Sequence, residues 1–114
     1  MESKSFTQHG IYAIWDRKAH IILPAFSAAN DTSAERMFTE TVIQSDIPVS
    51  QYPADFDLIR IGTVDLEAGS LTPISPPQLL INGLVCLENA HRERARYQNI
   101  LRTIQAEEPA PEAS

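Results

Sequence analysis

Cysteine occurs once in this chain of 114 residues, at Cys86, and glycine only four times. A single thiol excludes an intrachain disulfide and any structural zinc site built from cysteines. Set among Leu84, Val85 and Leu87, Cys86 reads as a small core residue. Long apolar runs are also missing. None approaches the ~20 residues of a membrane helix, and the opening ten residues lack the apolar core of a signal peptide. Both absences lead to the expectation of a protein made and kept in a cytoplasm, without membrane contact. Positive charge is scarce: nine Lys and Arg stand against fifteen Asp and Glu, a net charge of −6. That balance disfavours broad attraction to nucleic acid or anionic lipid, yet leaves room for a local basic patch.

Motifs that carry chemistry are scarce too. There is no glycine-flanked nucleophile, no phosphate-cradling loop and no paired-histidine motif. His9, His20 and His91 share no ligand spacing. Asp55 and Asp57 read as loop and strand-entry residues on a solvated face. The expectation is a non-enzymatic protein with no catalytic residue, metal or cofactor.

What is present suits one soluble domain: 43% apolar and 21% charged residues. Residues 11–15 read as a strand, rich in β-branched and aromatic side chains. Residues 16–19, "DRKA", form a polar corner. Residues 20–26 return as a second strand, which Pro24 confines to an edge or ends. Thr32 and Glu35 form a capping box, and Ala34, Met37, Phe38, Thr41 and Val42 recur at helical spacing until Pro48. A loop at 52–55 leads to a strand over 56–66, a turn with Gly69 in the left-handed position, and a return strand over 70–74. Ser75-Pro76-Pro77 interrupts the chain, 78–81 adds a short fifth strand, and Asn82-Gly83 is a break. A helix follows over 85–105. The expected fold is α+β: an antiparallel sheet of four to five strands from two hairpins flanking a helix (ββαββ), plus a long C-terminal helix. Residues 1–10 are expected to be a flexible N-terminus, 11–106 the domain, and 107–114 a disordered acidic tail.

Two places are candidates for binding. Tyr12 and Trp15 lie beside Arg17, Lys18 and His20, the mix with which single-strand binders stack bases and pair phosphates. A regular strand points the two aromatics to opposite faces, which favours a structural role for at least one. The second place is the C-terminal helix, where Arg92, Arg94, Arg96 and Arg102 outnumber Glu88 and Glu93. Arg92 and Arg96 share one side and suit a phosphate or an acidic partner, whereas Glu88 to Arg92 has the i,i+4 order of a plain solvated helix. Leu87, Ala90, Arg94, Tyr97, Leu101 and Ile104 follow a short heptad seam. Either the seam joins copies of the chain, with Leu87, Tyr97, Leu101 and Ile104 at the contact, or these groups cover the protein's own sheet.

Together these residues carry a resemblance. "IYAIWDRKAHIILPAFSAANDTSAERMF" resembles the opening of the small nonstructural protein of gokushovirus-type microviruses, single-stranded DNA phages. The shared features are the turn at 16–19, the strand end at Pro24 to Phe26, and Ala34, Arg36 and Phe38 in the helix. In "YPADFDLIRIGTVDLEAGSL" the similarity rests on Pro53, Asp55, Phe56, Leu58, Ile61, Gly62, Asp65 and Gly69. It spans residues 11–83. Phe56 stands where the family usually has Tyr, and Pro24-Ala25-Phe26 inserts an alanine into the usual Pro-Phe. The resemblance implies a non-capsid protein in the cytoplasm of an infected bacterium. It implies a role in viral single-stranded DNA replication or genome packaging, through DNA or a viral or host replication protein. The runner-up is an oligomeric adaptor that never touches nucleic acid. A homo-oligomer is expected under both.

Overall fold

The computed structural model describes residues 7–44 and 46–107. Strand β1 (Gln8–Asp16) is followed by two short strands, β2 (Ile21–Ile22) and β3 (Phe26–Ala28), then helix α1 (Asp31–Ile43). A one-turn helix α2 (Pro48–Gln51) and a 3-10 turn (Pro53–Asp55) lead into β4 (Phe56–Asp65), β5 (Leu71–Asn82) and the long helix α3 (Gly83–Glu107). All strand pairs are antiparallel. The sheet order is β2-β1-β4-β5, with β3 pairing along the same edge of β1 as β2. The α+β class, an antiparallel sheet within the expected four to five strands, the helix between hairpins and the long C-terminal helix are as the sequence predicts.

The boundaries differ in instructive ways. β1 begins at Gln8, inside the stretch expected to be flexible, because Gln8 and His9 find ladder partners in Asp65 and Val64. Residues 1–6 lie outside the described residues. So do 108–114, which hold all but the first residue of the predicted acidic tail; that first residue, Glu107, ends α3. The expected second strand is two pieces around Pro24, which has no N–H for the ladder. Leu23 N still donates to Ile14 O at 2.9 Å, so the chain stays on the β1 edge. The loop expected at 52–55 is mostly the 3-10 turn. Strands expected at 70–74 and 78–81 are one strand, β5. Opposite Ile61 alone, four β5 residues (74–77) bulge out of register. They contain Pro76 and Pro77, tolerable because β5 is an edge strand. The Asp65–Ser70 connection turns as predicted, with Gly69 at φ 75°.

The core lies on one face of the sheet. Tyr12 and Leu58 are fully buried there, with Phe56, against Ala34, Phe38 and Val42 of α1, Val49 of α2 and Cys86 of α3. Met37, expected on the apolar face of α1, is 44% exposed. Gly10 makes room for the Tyr12 ring: a Cβ there would lie 2.3 Å from the phenol oxygen. The cap of α1 is also not as expected. Asn30, not Thr32, is the N-cap, its side chain accepting from Ser33 N at 2.8 Å. Thr32 stands exposed inside the first turn.

Only the first turns of α3 touch the body. Every residue from 91 to 106 is exposed. The helix therefore projects as an arm, and the molecule measures 66 × 44 × 19 Å with a radius of gyration of 19.2 Å. A compact chain of this length has about 13 Å. The thin dimension is one sheet carrying one layer of helix.

Candidate functional site

The "DRKA" corner turns the chain. Asp16 Oδ1 accepts from Lys18 N and Ala19 N, both at 3.1 Å, and His20 N donates to Asp16 O at 2.8 Å. His20 takes φ 59°, the left-handed conformation that closes the corner. Its ring lies 6.1 Å from that of Trp15, which is half-buried.

Arg17 was a candidate for binding a phosphate or acidic partner. The structure instead pairs its Nε with Asp57 Oδ2 at 3.2 Å, and its Nη2 donates to Ala54 O. Asp57, expected on a solvated face, is only 8% exposed. Its other oxygen accepts from Asn82 Nδ2 at 2.8 Å. Asn82 Nδ2 also reaches Ala54 O at 3.0 Å, while its Oδ1 accepts from Leu84 N at 2.9 Å. Asn82, read from sequence as a break, thus caps the start of α3 and ties it to the corner, the 3-10 turn and β4. Lys18 remains exposed on the corner.

A second polar node links sheet and helix. Tyr12 Oη donates to Asp31 Oδ1 at 2.7 Å, and Arg60 Nη1 pairs with the same oxygen at 3.1 Å. The Arg60 guanidinium carbon sits 5.8 Å from the Tyr12 ring centre. Burial, then the bonded and negatively charged Asp31, push the Tyr12 phenol up to about 12. Sequence reasoning missed this node. Its signal was Arg60 inside the apolar run Leu58-Ile59-Arg60-Ile61, at a position facing Tyr12. Both nodes pair their charges within the chain and read as fasteners of the fold, with Arg60 Nε left buried and without a hydrogen-bond partner among the described residues. In the cleft between α1 and α3, burial raises the Cys86 thiol, and Thr39 Oγ1 lies 3.4 Å from its sulfur. A protonated, buried thiol is a poor nucleophile, in keeping with a core residue.

The arm gathers the remaining candidates. Arg92 and Arg96 lie one turn apart on one side and are exposed, Arg92 Nη1 donating to Asn89 Oδ1 at 2.9 Å. Tyr97, Leu101 and Ile104 are 63%, 39% and 48% exposed, and Ile100, not singled out from sequence, is 48% exposed beside them. Their i, i+3, i+4, i+7 spacing makes one stripe. Leu87 does not share it: that side chain packs against the domain's own core. The heptad seam thus divides between intramolecular packing at its start and an open stripe beyond.

Among the described residues no group of three His, Cys, Asp or Glu side chains is placed to hold a metal ion, and no helix is long and apolar enough to cross a membrane. No solved structure matches the chain. A curated relative, Protein ORF5 of Chlamydia phage 1, is 34% identical over 83 residues, 69% of this chain and 80% of the relative. The family model described as Phage ORF5 protein matches residues 9–86, which take in the sheet from His9 onward, α1, α2 and the first turn of α3. The chain therefore belongs to the Phage ORF5 protein family, the gokushovirus-type microvirus family that its opening hairpin and helix resemble, and is a phage protein made in the infected host.

Proposed function

We propose that this is a non-catalytic nonstructural protein that assembles into a homo-oligomer and serves viral single-stranded DNA replication or genome packaging. Arg92 and Arg96 contact DNA or an acidic face of a replication protein, and Tyr97, Leu101 and Ile104 contribute to assembly. The observation that carries this reading is the projecting arm. It bears four arginines against Glu93 over residues 91–106, on a chain that is otherwise acidic. Arginines along an exposed helix suit phosphate oxygens, to which they present a planar fork of donors. Arg17, held by Asp57, takes no part, and Lys18 is at most a peripheral contact.

A labelled single-stranded oligonucleotide tests this. Binding should weaken as salt rises, because phosphate contacts release counterions. Arg92→Glu combined with Arg96→Glu should abolish binding, read at a protein concentration where sedimentation shows the variant still assembled. Absence of binding by the wild-type protein at low salt favours the second reading, an adaptor without nucleic-acid contact, which the net charge of −6 supports.

A further inference from the structure

Two apolar surfaces have no helix packed on them among the described residues. One is the stripe on the arm. The other is the face of the sheet turned away from the helices. Alternation along β1 puts Ile11, Ala13 and Trp15 opposite in sense to the buried Tyr12. The ladder adds Ile22 beside Trp15, Ile59 beside Ala13 and Leu79 beside Ile59. None of the six belongs to the core cluster. Each of the three helices contributes to that cluster on the Tyr12 side, through Phe38, Val49 and Cys86. None of them lies over the far face, where Ala13 and Ile59 form a buried floor (0% and 7% exposed), Ile11 and Trp15 are half-buried, and Ile22 and Leu79 stand open at 49% and 61%.

We propose that the far face of the sheet is the seat for the arm of a second copy, exchanged reciprocally, so that each apolar surface covers the other. This rests on the homo-oligomer reading above and specifies its contact. The arm cannot serve its own far face, since it leaves the body from the helical side and stays clear of it. Its dimensions suit: residues 91–106 span about 24 Å of helix, and six residues of a central strand span about 20 Å. Charge selects sheet over arm. Residues 7–82 hold four Lys and Arg against nine Asp and Glu, whereas residues 91–106 hold four Arg against one Glu. Arm against arm brings like charges together; arm against body brings opposite ones. Asp16 and Asp55 lie at one end of the body, beside Arg17 and Lys18, and Asp65 and Glu67 near the other. A reciprocal exchange repeats each contact twice about a two-fold axis and closes the assembly.

Trp15, the single tryptophan, lies in the seat and reports on it. Its emission should be blue-shifted in the assembled protein and move to the red on dilution through the dissociation range. Leu79→Glu and Ile104→Glu, each at a site exposed in the lone chain, should raise the dissociation constant about ten-fold or more. Met37→Glu, exposed on the helical side, should leave it unchanged. Circular dichroism checks that the variants fold. An oligomer whose Trp15 emission ignores dissociation, or that tolerates Leu79→Glu, overturns the seat while leaving the oligomer standing. A chain that stays monomeric at tens of micromolar overturns both.

Discussion

Asn30 and Thr32 stand two residues apart, and either could cap α1 by composition. Both can accept from a first-turn N–H. The structure places Asn30 in extended backbone, φ −159°, with its side chain on Ser33 N. Asn30→Ala should therefore lower unfolding stability by about 1 kcal/mol, and Thr32→Ala should change it little, both read from urea denaturation midpoints. A larger loss for Thr32→Ala would restore the capping box. Tyr12 gives a second expectation. Its folded-state phenol is raised to about 12 from an ordinary 10.0. A raised group stabilises the folded form fully below the unfolded value and loses that contribution as pH rises through the folded one. The protein should thus lose stability between about pH 10 and 12 through this residue. Tyr12→Phe should flatten that part of a stability-against-pH curve, at some cost at neutral pH, since Asp31 loses a donor. An unchanged alkaline slope in Tyr12→Phe would place the titration elsewhere.

At the scale of elements, the sequence was legible where periodicity and punctuation agree. α1 combines a polar start, Ala34, Phe38 and Val42 on one face, and Pro48 beyond its end. The β4–β5 connection joins strand residues around Gly69. Less legible were features set by tertiary partners. Pro76 and Pro77 looked like a chain break, yet β5 passes through them because an edge strand bonds on one side only. Asn82-Gly83 looked like a turn, and only the fold shows that the Asn82 side chain caps a helix and bridges to Asp57. Arg17 looked like a free cation because its partner Asp57 is 40 residues away in sequence. The C-terminal helix posed the hardest case. Its stripe begins with side chains that pack on the protein's own core, Cys86 and Leu87, and continues as Tyr97, Ile100, Leu101 and Ile104, all exposed among the described residues. Spacing is the same along both halves, so sequence alone left the two destinations of the stripe open. A lone helical arm of this length is marginal in water, which is the physical reason to look for what covers it.

The whole molecule is polarised: an acidic slab bears a basic arm. This makes salt the variable that tells one mode of assembly from another. Exposed charges interact over a Debye length of about 10 Å at 0.1 M ionic strength and about 3 Å at 1 M. If arms pair with arms, Arg92, Arg94, Arg96 and Arg102 of two copies come close, their repulsion opposes assembly, and added salt should strengthen it. If each arm lies on the acidic body of its partner, attraction assists assembly, and salt should weaken it. Apolar contact contributes in both cases and does not fall with salt, so the sign of the change isolates the electrostatic part. Sedimentation measurements of the dissociation constant between about 50 mM and 500 mM sodium chloride should show a several-fold loss of affinity. Arg94→Ala, at the edge of the stripe, should reduce both the affinity and its salt dependence. An affinity that rises with salt would place arm against arm and leave the far face of the sheet for another occupant.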